Sequence, residues 1–277
     1  RLLAWQGLSA RNAVAVALLP AAAFATHPIW VDEATLAEVN AWHGAWTAGA
    51  ALWFACALAD IRRAASSPSA ADARTARHAA AWGLIAGAGL AHHVTSIFMA
   101  APLTVALLLA VVRAGRWRWR FLAIGLAFAL LPLTSYGYVA WRAFHPGEIQ
   151  WITLAPNWKS VLDHVTGAAY RLYLGGFAPD DLQRRLLASF LYPWLVPGLA
   201  LLAWWAIRAR STPRALRAAI VAAVTLGLAY AFSYGVPDPS SYFLPPLMLT
   251  VTIAPAAFVA MPGVRRFASV LAAVAAV

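Results

Sequence analysis

Apolar residues run along this chain in long blocks, broken at short intervals by arginine-bearing polar stretches. Read as helices, these blocks predict membrane spans, since about 20 mostly apolar residues cross a hydrocarbon core. The spans fall at about 12–27, 41–60, 79–91, 94–112, 121–141, 188–207, 215–233 and 243–261, with a truncated ninth from about 266. The block from Ala79 to Val112 is the most informative. It lies between Arg62, Arg63, Arg74 and Arg77 on one side and the run R-A-G-R-W-R-W-R (Arg113–Arg120) on the other. A single crossing would set one arginine cluster outside, against the positive-inside bias, so the block should go out and come back. Its 34 residues supply about 51 Å of helix, whereas two crossings of a roughly 30 Å core need about 60 Å. The turn at Ala91-His92-His93 is therefore expected to lie below the outer surface.

With Arg1 and Arg11 inside, the later loops alternate consistently. All but five of the 21 basic residues then lie inside, the exceptions being Arg142, Lys159, Arg171, Arg184 and Arg185. The acids split the other way, with only Asp60 and Asp72 inside. Acids contribute little to topology, so their asymmetry points to chemistry on the outer face. Three outer loops result, at about 27–40, 144–187 and 235–241. In the second, Trp158, Val161, Leu162, Val165, Ala169 and Leu172 share one helical face, the pattern of a helix lying flat in the outer interface. The expected architecture is all-α and polytopic, about eight to nine spans in a single membrane domain over residues 1–277.

Composition agrees. At 62% hydrophobic and 11% charged, the chain departs from soluble domains, which carry about 25% charged residues. The net charge of +11 sits in short loops between apolar blocks, where it reads as topology signal and anionic-lipid contact, not nucleic-acid binding. The single cysteine, Cys56, leaves neither a disulfide framework nor a cysteine-based metal site. The chain opens at Arg1 and closes at Val277 inside an apolar run, which reads as a fragment of a longer membrane protein. No repeat at a fixed period supports an inverted-repeat transporter.

Few polar residues are placed for chemistry. Glu38 sits where the chain re-enters the membrane, either as a reactive carboxylate or as an ordinary acid at a helix start. Asp32 and Glu33 are adjacent, and a divalent cation is the cofactor such a pair would accept. His92 and His93, followed by Thr95 and Ser96, either hydrogen-bond a neighbouring helix or gather donors for a phosphate at a helix start. Two adjacent histidines do not complete a zinc site. Arg142 at a span's outer end either snorkels to headgroups or forks onto a phosphate. Asp238, between two prolines, shapes a turn or faces the outer site. Trp30, Trp117, Trp119 and Trp141 fit an interfacial belt, and Trp151 and Trp158 fit either anchoring or stacking on a sugar.

Four stretches together resemble one family. They are W-V-D-E-A-T-L-A-E-V-N-A-W (Trp30–Trp42), G-L-A-H-H-V-T-S-I-F-M-A-A-P (Gly89–Pro102), N-W-K-S-V-L-D-H-V-T-G-A-A-Y (Asn157–Tyr170) and P-D-P-S-S-Y-F-L-P (Pro237–Pro245). In order and placement they are similar to the GT-C glycosyltransferase superfamily, specifically the bacterial relatives of the transmembrane protein O-mannosyltransferases. Asn40 stands where that family usually has tyrosine, and His92 where it usually has asparagine. The family's first acidic motif would lie upstream of Arg1, so its principal base is expected outside this chain, which alone should be inactive.

The resemblance implies transfer of a sugar from a polyprenyl-phosphate donor to a protein or glycan hydroxyl, at the extracytoplasmic face of the bacterial inner membrane. Glu38 would be the second outer-loop acid, and His93, with His92, would hold the lipid phosphate. Arg142 and Asp238 would assist from the outer face. The competing expectations are a transporter or lipid flippase, with the histidines on its path, and a structural subunit of an envelope-assembly complex.

Overall fold

The computed structural model describes residues 9–28, 30–31, 39–62, 67–146, 154–176, 180–236 and 240–261. Among them the chain is helical throughout, with one isolated β-bridge and no strand. In chain order the α-helices are α1 (Ala10–Ala25), α2 (Val39–Arg62), α3 (Pro68–His92), α4 (Ile97–Arg113), α5 (Trp119–Leu133) and α6 (Tyr136–Phe144). Then follow α7 (Trp158–Val165), α8 (Asp181–Leu186), α9 (Tyr192–Arg208), α10 (Arg214–Ser233) and α11 (Leu244–Val259).

Among the described residues, five segments are long and apolar enough to cross a bilayer: Trp42–Arg62, Val94–Arg113, Trp119–Phe144, Arg214–Ser233 and Ser240–Val259. The chain is an all-helical, polytopic membrane protein, but among the described residues the expected eight to nine spans are not reached. The block at 12–27 falls on α1, whose 16 residues make about 24 Å of helix, short of a perpendicular crossing. The block at 79–91 is the second half of α3, whose first half carries Asp72, Arg74 and Arg77. The block at 188–207 falls on α9, of 17 residues, after a π-helical turn at Leu187–Leu191. The ninth lies outside the described residues.

α3 is longer than the apolar block that predicted it. Ser67 caps it, accepting a hydrogen bond from the Ala70 amide, and Pro68 occupies the first helical position, where its missing N–H costs nothing. The helix therefore starts well before Ala79, and its 25 residues make about 37 Å. The added turns hold Asp72, Arg74 and Arg77, so the apolar part of α3 still begins near Ala79. The break itself stands: His93 is extended (φ −151°, ψ 124°), ends α3 and is followed by a single 3-10 turn, Val94–Ser96.

α11 is the axis of the bundle. It packs against α1, α2, α9 and α10, and Leu244, Leu247, Leu249, Ile253 and Ala257 on it are fully or nearly fully buried. α5 is the opposite case, a peripheral helix held by α3. Its seat is made of small residues: a Cβ at Gly83 would stand 2.2 Å from the Gly125 carbonyl oxygen, and one at Gly87 would stand 2.2 Å from that of Ala129. The two backbones are thus in direct contact, the packing that small residues at four-residue spacing allow in membranes.

The polar ends segregate. At one end, Arg74 donates to the Asp60 carbonyl, Arg120 pairs with Asp72, and Arg217 donates to the Ala206 carbonyl. The histidine turn lies at the other end. The outer segment is shorter in its helix than expected: α7 stops at Val165, Gly167 turns with φ +64°, and a 3-10 stretch, Ala168–Tyr173, follows. Trp158, Leu162 and Leu172 remain more than half exposed while Val161 is buried.

Candidate functional site

At the end of the bundle away from the arginines, α3 hands the chain to α4 through His93. The Thr95 amide N–H donates to His93 Nδ1 at 3.3 Å, and the Thr95 hydroxyl lies 2.6 Å from the same nitrogen. With Nδ1 accepting, the ring proton is assigned to Nε2, so His93 offers a ligand an N–H donor. Burial, followed by the neighbouring His92, holds the His93 imidazole below its usual pKa. The ring is accordingly neutral near pH 7, not the imidazolium that a phosphate cradle at this turn would suggest.

A second histidine, not singled out in the sequence, completes the arrangement. His43 on α2 is 5% exposed; its ring lies 5.4 Å from that of His93, and its Nδ1 lies 3.3 Å from the buried Ser96 hydroxyl. An ionisable group inside an apolar span was its only signal. His92 diverges from its neighbour: its ring packs at 4.0 Å on Trp42.

Behind His93 a narrow cleft of about 30 Å³ is lined by His43, Thr47, Thr95, Phe98, Tyr230, Ser241, Tyr242, Pro245 and Leu249 among others. Tyr230 and Tyr234 lie one turn apart at the end of α10, and Tyr242 precedes α11. Their rings contact one another with centroids 4.9 to 5.9 Å apart, and Tyr242 reaches to 6.1 Å from His93. The outer segment closes on the same place. Leu174 and Tyr234 form the antiparallel bridge, with Gly175 N–H donating to the Ser233 carbonyl at 2.6 Å and Gly235 N–H to that of Tyr173 at 2.8 Å.

Of the residues singled out in the sequence, His93 lines the cleft. His92 stands beside it against Trp42. Arg142 is half-buried on α6 at the same end, since Tyr136, which starts that helix, donates its hydroxyl to the Leu90 carbonyl; it is not among the lining residues. Trp158 packs on Phe144 away from the cleft. Glu38 and Asp238, like Asp32, Glu33 and Trp151, lie outside the described residues. No group of three or more His, Cys, Asp or Glu side chains among the described residues is arranged to hold a metal ion.

Fold and site together define an all-helical membrane protein with a hydroxyl- and imidazole-lined cleft at one end. Comparison with known families, with curated proteins and with solved structures finds no match to this chain.

Proposed function

We propose that this chain is the membrane domain of a GT-C-type glycosyltransferase that moves a sugar from a polyprenyl-phosphate-linked donor to an acceptor hydroxyl, at the extracytoplasmic face of the bacterial inner membrane. One observation carries the reading. The four stretches that resemble the family lie far apart in sequence, yet their described residues gather at one end of the bundle. Trp42 of the first packs on His92 of the second, His93 faces Tyr242 of the fourth, and Tyr170, which ends the third, interacts with Tyr234, three residues before the fourth. A structural scaffold has no need of such a gathering around a cleft.

In this reading the acceptor oxygen attacks the anomeric carbon, a carboxylate takes its proton, and the bond from that carbon to the phosphate oxygen breaks. Polyprenyl phosphate leaves with the negative charge, which hydrogen-bond donors stabilise. Glu38 is the proposed acid of this chain, and His93 Nε2–H, with His92, the donor set on the phosphate. Arg142 and Asp238 are assigned supporting roles on the outer face. A divalent cation remains the one cofactor the outer acids would take.

Sugar transfer from a polyprenyl-phosphate donor, measured on the full-length protein in lipid, tests this. Glu38→Ala should lower transfer about 10²-fold or more, and His93→Ala about tenfold, the loss of one hydrogen bond to developing charge. Undiminished transfer by both folded variants would remove the assignment. The transporter reading is favoured by the buried His43 inside an apolar helix and the buried Ser96 beside it; it predicts instead solute movement across sealed vesicles with no donor consumed.

A further inference from the structure

The arginine end of the bundle carries charge that its own acids do not balance. Arg208, Arg210, Arg214 and Arg217 fall within ten consecutive residues at the turn from α9 to α10, and no Asp or Glu occurs from Leu187 to Pro237. None of the four is in an ion pair among the described residues, where Asp72 pairs with Arg120 and Asp60 lies beside His78. α4 packs on α10 and ends at Arg113, so the run Arg113–Arg120 adds its charge at the same end.

Three kinds of donor lack an acceptor there. Half-buried Arg217 donates from Nη1 to the Ala206 carbonyl, in the last turn of α9, but its Nε is shielded from water and bonds nothing. The Thr212 hydroxyl, on a residue 1% exposed, has no partner either. Pro213 stands at the N-cap of α10, so no capping side chain accepts from the amides of the first turn.

A tie between the two helices would explain Nη1 alone. A guanidinium drawn out of water without a counter-ion is costly, and so is an unbonded buried hydroxyl. A tetrahedral oxyanion answers all three, accepting from the planar guanidinium fork, from a hydroxyl and from a helix start. Arg214 opens a segment apolar enough to cross a bilayer. Arg208 lies 5.2 Å over the ring of Trp204, a residue type of the headgroup layer. The oxyanion abundant at that depth is a lipid phosphate.

We infer that the start of α10 holds the phosphate of one anionic phospholipid, from the leaflet at the arginine end, between Arg217, Thr212 and the first-turn amides, with exposed Arg214 beside it. This is a single stoichiometric site, distinct from the diffuse attraction that any loop arginine exerts on anionic lipid. It lies at the opposite end from the histidine cleft and does not rest on the transferase reading.

Native mass spectrometry of the full-length protein in detergent, titrated with phosphatidylglycerol or phosphatidylcholine, tests this. One phosphatidylglycerol should bind saturably, about tenfold tighter than phosphatidylcholine. Arg217→Gln, whose amide can still donate to Ala206, should weaken that binding about tenfold through the loss of charge-assisted hydrogen bonds. Arg62→Gln removes an exposed charge from the same end and should change it less than about twofold. Thr212→Val, which deletes the unbonded hydroxyl, should leave the lipid-free protein at least as stable while weakening the lipid about threefold. Equal losses from Arg62→Gln and Arg217→Gln would return the effect to diffuse charge and overturn the site. A less stable lipid-free Thr212→Val protein, or one with unchanged affinity, overturns it as well, and decides the case if Arg217→Gln does not fold. Displacement of phosphatidylglycerol by inorganic phosphate at equal concentration would assign the site to a free anion and overturn the lipid.

Discussion

At the scale of single residues, the site depends on a proton that His93 does not carry. Its folded pKa lies below the unfolded value of about 6.5, so its contribution to stability is present above that value and is lost as pH falls through the window beneath it. The protein in detergent should therefore unfold at a lower temperature at pH 5.5 than at pH 7.5, and His93→Gln should narrow that difference; an identical pH dependence in the variant would assign it to other groups. The histidine pair was legible in the sequence because two polar side chains interrupted an apolar block. His43 carried the same signal singly and passed as one polar residue in a span. The tyrosine wall was illegible, since Tyr230 and Tyr242 become neighbours only when the end of α10 meets the turn before α11.

Individual elements were read with uneven success, for a physical reason. Periodicity and arginine flanks located α2, α4, α5, α10 and α11, because a helix facing lipid must be apolar over a full crossing. The same pattern marked α1, α3 and α9, which are not among the five described segments that qualify as spans. Gly83 and Gly87 of α3 were not singled out, because their spacing has meaning only once α5 is seen against them. Valine at Gly87 would drive a side chain into the Ala129 carbonyl, and overpacking of this kind costs about 1–3 kcal/mol. Alanine at Gly125 meets only the Ala79 carbonyl oxygen at 3.5 Å, an ordinary contact, and should shift stability by less than about 1 kcal/mol. Reversible unfolding in mixed micelles would compare the two; equal losses would show that the α3–α5 contact is not the one that matters.

On the scale of the whole molecule, the arginine end and the histidine end should lie on opposite sides of a membrane. With Cys56 replaced by alanine, a cysteine at Gly115 and one at Gly167 should react with an impermeant maleimide from opposite sides of sealed vesicles. Labelling of both from one side would break the topology on which the outer-face chemistry depends. The bridge between Leu174 and Tyr234 has a consequence for kinetics. It is short, two hydrogen bonds, and Gly235 lies so close to Gly176 that an added Cβ would stand 1.9 Å from its carbonyl oxygen. The outer segment is thereby moored beside the tyrosine wall. A molecule gripped by that segment would meet the cleft at an effective concentration set by the length of the mooring, whatever its concentration in bulk.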